Sequence, residues 1–244
     1  MAIKNCFSVV GNHNSGKTTL IEELIKELKT RNLSVSTIKH AVHFNFNSSN
    51  KGDSERLFQA GSKTSIALFE DGTQLYTSPT KLRSALSYIN SDILILEGFK
   101  GEAVPNIVRA KNTQDAKKLI NELTIAIVTD EEGNLEDTPS FRPHQIREIT
   151  EVALKHSFPP LPLLDCGHCK GGTCFKMASM ILKGEGSIKD CVVLPSKVRL
   201  KVNNVSIPLN PFVEQIITSV VGSLVGILKD TTKEMKEIDL HIKL

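Results

Sequence analysis

Gly11-Asn12-His13-Asn14-Ser15-Gly16-Lys17-Thr18 matches the spacing G-x-x-x-x-G-K-[ST], in which each residue type has a chemical task. The glycines let successive backbone amides close around a β-phosphate, the lysine reaches the β and γ oxygens, and the hydroxyl ligates magnesium. An apolar run from Cys6 to Val10 precedes the octapeptide, and an amphipathic run with Leu20, Ile21, Leu24, Ile25 and Leu28 follows it. Strand, loop and helix therefore come in the order a phosphate cradle needs, and the helix N-terminus adds its partial positive charge. The stretch from Gly11 to Thr19 predicts a site for a nucleoside triphosphate and Mg2+. An ordinary glycine-rich turn would have to bring glycine, lysine and hydroxyl together by coincidence.

Magnesium in such a site needs a carboxylate. Glu97 is the first candidate, because it ends the apolar run Ile93-Leu94-Ile95-Leu96 and is followed by Gly98. With Lys17 it forms the candidate catalytic pair. Asp92 opens the same run and lies about 17 Å away along extended chain, so both cannot contact one ion. Lys39-His40-Ala41-Val42-His43 follows the second strand-like run and leads to Lys51-Gly52-Asp53-Ser54-Glu55-Arg56. A loop at the carboxyl end of a parallel strand is a ligand position. Asp53 is thus a further candidate for magnesium and Lys39 for phosphate, against the plainer reading of a solvated loop with a helix cap at Asp53. Asp130, after the late run Ile125 to Thr129, is a candidate acceptor for the base; Asn-Lys-x-Asp, by which many GTPases read guanine, is not in the sequence, and nothing in these residues by itself selects guanine.

Four of the five cysteines form a second constellation, Cys166-x2-Cys169-x4-Cys174-x16-Cys191. Three thiols on one short loop with a distant fourth suit an iron-sulfur cubane, which the chain must wrap. A zinc ribbon would bring two separate Cys-x2-Cys knuckles; zinc and unmetallated thiols stay as alternatives. Gly167, Gly171 and Gly172 allow close backbone approach, and Thr173 predicts a cap on a helix starting at Cys174. Cys6 stands alone in a strand and reads as a small core residue.

To position these groups the chain needs an α/β domain. Short β-branched runs alternate with amphipathic stretches, the pattern of βαβ units around a mostly parallel sheet. Strands are predicted at Phe7 to Val10, Ser34 to Ile38, Ser65 to Phe69, Asp92 to Leu96, Ile107 to Ala110 and Ile125 to Thr129. Helices are predicted at Lys17 to Thr30, Asp53 to Ala60, Pro79 to Ile89, Thr113 to Asn121 and Pro143 to His156, each with an apolar face for the sheet. Phe158-Pro159-Pro160-Leu161-Pro162 cannot continue a helix, so the P-loop domain is expected over residues 1–157 and a small α+β metal-binding domain over 158–244. In the latter, Val198 to Leu209 alternates about Asn203-Asn204 as a hairpin, and a helix follows from Pro211 with apolar pairs that suit core packing or a dimer seam. Ile238, Leu240, Ile242 and Leu244 predict a third strand.

The 30 basic and 27 acidic residues are well mixed, with a net charge of +3, which gives no electrostatic footprint for nucleic acid or membrane. Without a secretory pattern or a bilayer-length apolar stretch, a cytoplasmic protein is expected.

Gly11 to Thr19, Ile38-Lys39-His40, Lys51-Gly52-Asp53-Ser54, Arg56, Ala60-Gly61 and Ile95-Leu96-Glu97-Gly98-Phe99-Lys100 together resemble the molybdopterin-guanine dinucleotide biosynthesis protein B (MobB) family, over roughly the first two thirds of the chain. The P-loop alone is widespread, and Ile-Lys-His with Leu-Glu-Gly-Phe-Lys is what makes the resemblance specific. It implies a GTP-binding accessory protein, commonly a homodimer and at most a slow GTPase, that assists a molybdenum cofactor nucleotidyltransferase. The cysteine region is similar to the four-iron-four-sulfur domain of corrinoid iron-sulfur proteins, with Gly167, Thr173 and Gly184 matching, and implies a [4Fe-4S] cluster for redox or docking. It departs at Gly172 and Val192, where that pattern usually has proline. Two other functions fit the same residues: an NTPase coupling hydrolysis to electron transfer or metallocluster assembly, and a zinc-bound interaction module fused to a nucleotide switch.

Overall fold

The computed structural model describes residues 3–41, 52–78, 81–131, 135, 138–194, 196–203, 205–229 and 235–242. Nine elements carry the nucleotide site and its support: β1 (Asn5–Val10), α1 (Lys17–Thr30), β2 (Val35–Lys39), α2 (Asp53–Gln59), β3 (Thr64–Phe69), β4 (Gly72–Thr77), α3 (Leu82–Ala85), β5 (Ile93–Glu97) and β6 (Asn106–Ala110). Then come α4 (Thr113–Lys117), β7 (Thr124–Thr129), β8 (Ser140–Phe141), α5 (Ile146–His156), α6 (Cys174–Leu182), β9 (Leu200–Val202), β10 (Val205–Ile207) and α7 (Pro211–Gly226).

The main sheet is six-stranded and parallel, in the order β2-β5-β1-β6-β7-β8. Its central strands are continuous apolar runs because both faces are covered, which is the usual condition of parallel sheets. Phe7 and Val9 of β1 face a core with Leu20, Leu24 and Leu28 of α1 and Ile149 and Ala153 of α5. Cys6, on the opposite face, packs with Leu94, Leu96 and Val104. Chain order reverses across β1, with β5 on one side and β6 on the other, so the crevice beyond its carboxyl end is the topological switch point. The phosphate loop begins there.

Several expectations are corrected. Ser65 to Phe69 is a strand, but it pairs antiparallel with β4 in a separate hairpin closed at Glu70-Asp71, and Leu68 and Phe69 are 80% and 58% exposed. Alternation alone does not say which sheet a strand joins. The helix expected from Pro79 to Ile89 shrinks to α3 and one 3-10 turn, Leu86–Tyr88; Pro79 lies outside the described residues. The helices expected at 113–121 and 143–156 are shorter at one end, α4 stopping at Lys117 and α5 starting at Ile146. Among the described residues 235–242 there is no third strand. The α7 stripe is not core, since Phe212 and Leu224 are 64% and 58% exposed.

The cysteine unit rests on the sheet at the end away from the phosphate loop. The Cys6 backbone N–H donates to the Phe158 carbonyl at 2.9 Å, and Asn5 Nδ2 donates to Ser157 Oγ at 2.7 Å. Ala103 and Leu123 join Phe158, Leu161, Met177 and Cys191 in one buried cluster. At its rim Glu122 accepts from Ser179 Oγ of α6 at 2.6 Å and from Lys176 and Lys183 at 3.4 Å each. That hydroxyl first, and then the two ammonium groups, hold the Glu122 carboxyl below its usual value. A carboxyl lowered on folding stabilises the fold fully above its unfolded value of about 4.3, and the contribution fades as pH falls through the lower folded value. Glu122→Gln is expected to flatten the melting temperature between about pH 3 and 5 relative to the wild type, which thermal unfolding across that range will show.

Candidate nucleotide and metal site

The N-cap of α1 is Gly16, at φ +89° and without a side-chain cap, so the first amides of α1 are free to point at an anion. Lys17 Nζ donates to the Asn12 carbonyl at 2.7 Å, folding the ammonium back over the loop where a phosphate would take its place. Burial lowers the Lys17 pKa, with Glu97 opposing the shift.

Register does the rest. Glu97 pairs with Val9 on one side and with Lys39 on the other, so a single rung across β1, β5 and β2 carries the carboxylate to the mouth of the loop. Thr18 Oγ1 donates to Glu97 Oε1 at 3.0 Å, and Lys39 Nζ pairs with the same oxygen at 2.8 Å. The hydroxyl and carboxylate expected to hold magnesium are therefore side by side, and Lys39 meets Glu97 instead of standing free for phosphate. The turn is shaped by Gly98 at φ +88°, whose N–H donates to the Val9 carbonyl at 2.9 Å. His40 donates its N–H to the Glu97 carbonyl at 3.0 Å and packs its ring 5.3 Å from that of Phe99. Asp92 sits at the far end of β5, paired with Lys4 at 2.8 Å, well below the usual carboxylate range through that bond and those from Ser34.

Asp53 opens α2 with its side chain 92% exposed, paired with Arg56 at 3.3 Å; among the described residues nothing joins it to Thr18 or Glu97. His43 and Lys51 lie outside the described residues. Asp130 Oδ1 accepts from Arg109 Nη2 at 2.7 Å, with Arg109 buried and Asp130 half exposed. Sequence reasoning missed Arg109. Its signal was there: one charged residue inside the apolar strand Ile107-Val108-Arg109-Ala110, where burial demands partners. Gly11 and Gly16 both lie against it, since a Cβ at Gly11 would fall 2.3 Å from the Arg109 carbonyl and one at Gly16 3.3 Å from Nη2. Ser15 Oγ is buried and, among the described residues, has no hydrogen-bond partner.

At the opposite end, Cys166, Cys169, Cys174 and Cys191 line one pocket walled by Leu161, Leu164, Met177 and Val193. Thr173 Oγ1 accepts from the Lys176 N–H at 3.1 Å and caps α6 as its sequence predicts. Asp165 Oδ1 takes the Cys174 N–H at 2.6 Å. Burial raises the Cys174 thiol. Gly171 passes so close to α6 that a Cβ would lie 2.6 Å from the Met177 nitrogen. The set fits a group held by thiolates: four sulfurs around an apolar cradle, at the start of a helix whose dipole favours negative charge. Among the described residues no group of three His, Cys, Asp or Glu is gathered closely enough to hold a single metal ion. Among those residues, too, no helix is long and apolar enough to cross a membrane.

Residues 161–193, the cysteine pocket, match a family model named "Putative Fe-S cluster". A "Putative molybdopterin-guanine dinucleotide biosynthesis adapter protein" of Methanocaldococcus jannaschii is 32% identical over 243 residues, covering 95% of this chain and 96% of the relative. The molybdopterin-guanine dinucleotide biosynthesis adapter protein of Haemophilus influenzae is 36% identical over 131 residues, 50% of this chain and 72% of that one. The crystal structure of Bacillus subtilis MobB superimposes with a TM-score of 0.53 at 24% identity, over 62% of this chain and 96% of that one, which shows the shared fold. With residues 6–130 matching the model "Molybdopterin guanine dinucleotide synthesis protein B", from the strand before the phosphate loop to Asp130, the chain belongs to the MobB family.

Proposed function

We propose that this protein is a GTP-binding adapter for molybdenum cofactor guanylylation, working beside the nucleotidyltransferase that attaches the nucleotide to molybdopterin. The observation that carries the reading is the meeting of Thr18, Glu97 and Lys39 on one rung at the mouth of the phosphate loop, in a chain alignable with an adapter homologue over 95% of its length. Gly11 to Thr19 would hold the phosphates, Lys17 the β and γ oxygens, and Thr18 with Glu97 would hold Mg2+. Asp53 would serve magnesium directly or through water. Asp130 would accept from the guanine edge. Hydrolysis, at most slow, would make the nucleotide a switch.

The thiols of Cys166, Cys169, Cys174 and Cys191 would hold a [4Fe-4S] cluster, which supplies one-electron chemistry or a rigid docking surface when bound. The domains proposed are 1–157 and 158–244, in a cytoplasmic homodimer. Apolar side chains such as Leu68 and Phe69, which β3 exposes, supply surface that a second copy would cover.

Anaerobic co-purification tests the assignment. The tagged chain with GTP and Mg2+ is expected to retain a molybdenum cofactor nucleotidyltransferase, and Lys17→Ala to retain less of it. A nucleotidyltransferase that passes through unbound in both nucleotide states contradicts the adapter role.

A further inference from the structure

We propose that Arg109 is a positioning residue of the nucleotide site: it fixes Asp130 against the phosphate loop and so lets the protein select the base. The inference rests on the GTP-binding reading above.

Arg109 is 8% exposed in a strand whose other members are all buried. A guanidinium costs too much to bury unless its donors are used, and here they are. Nη1 donates to the carbonyls of Ala110 and, at 3.4 Å, Val128; Nη2 donates to Asp130 Oδ1 at 2.7 Å. The ends of β6 and β7 are thus tied together by one planar group. The same residue also defines the loop. Its carbonyl occupies the space a Gly11 side chain would need, and Nη2 and Nε would lie 3.3 and 3.4 Å from a Gly16 Cβ. Phosphate cradle and Asp130 are therefore two sides of one arginine.

Asp130 keeps 49% of its side chain exposed while one of its oxygens is held. Because β1, β6 and β7 are parallel neighbours, Asp130 lies beyond the same edge of the sheet as the loop. A ligand with its phosphates at Gly11 to Thr18 can reach it across Arg109. A carboxylate accepts well from the adjacent N1–H and N2–H of guanine, whereas the adenine edge offers an acceptor at N1 that a carboxylate repels. Such discrimination depends on orientation, which the charge-assisted bond from Arg109 sets.

Calorimetric titration of the whole protein with Mg-GTP and with Mg-tripolyphosphate, which has no base, separates positioning from scaffolding. Arg109→Lys keeps the charge but cannot serve the planar set of acceptors. It is expected to weaken GTP binding by about tenfold, leave tripolyphosphate within about twofold, and add nothing further in an Asp130→Asn background. Equal loss for both ligands, or no loss for either, overturns the proposal. So does an Arg109→Lys effect that persists in full on Asp130→Asn. If Arg109→Lys melts below the assay temperature, Asp130→Asn alone decides: selective loss of GTP supports the pair, parallel loss overturns it. A wild type that binds GTP no tighter than tripolyphosphate overturns the base-reading itself, and this inference with it.

Discussion

Gly11→Ala is expected to lower GTP affinity by roughly a hundredfold or more, the scale on which a displacement of about 1 Å is felt at a preorganised site. The added methyl would stand 2.3 Å from the Arg109 carbonyl and 2.5 Å from Ser15 Oγ. The first is backbone in a buried strand paired on both sides, so it cannot yield. The loop must shift instead, carrying its amides off the phosphate. Gly16→Ala meets a softer neighbour, the Arg109 guanidinium at 3.3 Å, but imposes φ +89° on a residue with a Cβ, and it should also impair binding. Gly222→Ala, in α7, is the control: among the described residues nothing lies within 4 Å of its Cβ position, and GTP affinity should not change. Titration of the three variants, with thermal melting alongside, checks the order.

The second large effect is expected at Cys191. It is 6% exposed within the cluster that also holds Ala103, Leu123 and Leu161, and it is the thiol that comes from beyond α6. Cys191→Ser exchanges a soft ligand for a poor one and leaves a hydroxyl in an apolar pocket, at a cost of about 1–3 kcal/mol if unpaired. Anaerobically purified Cys191→Ser is expected to hold less than about a fifth of the wild-type iron and to lose the visible absorption that dithionite bleaches. Cys6→Ala should keep both, because Cys6 is buried in β1, its thiol is pushed far up by burial, and it lies outside the pocket. A wild type that is colourless and carries stoichiometric zinc contradicts the cluster.

Much of this was legible in the chain. The central strands and α1 came within two residues of their bounds, because continuous apolar runs and a 3.6-residue stripe have few other solutions. Glu97 was found because a carboxylate ending such a run must emerge at the ligand edge. Its meeting with Lys39 was not, since that depends on the register of β2 against β5, which no local pattern encodes. Arg109 escaped for a related reason: a lone charge in a strand is visible, but its partner Asp130 is brought to it only by the pairing of β6 with β7. The C-terminal alternation failed as a strand because an alternating segment still needs an edge to pair with. Ser65 to Phe69 found its partner in the adjacent hairpin arm, a shorter closure than the crossover a parallel sheet requires.

Whether the loop at Gly11 holds guanine nucleotide with magnesium at Thr18 and Glu97 is decided by calorimetry on the anaerobically purified full chain. One GTP site per chain is expected, tighter than ATP, dependent on Mg2+ and lost in Lys17→Ala. ATP affinity equal to that of GTP, or GTP binding that survives both removal of Mg2+ and Lys17→Ala, would contradict it.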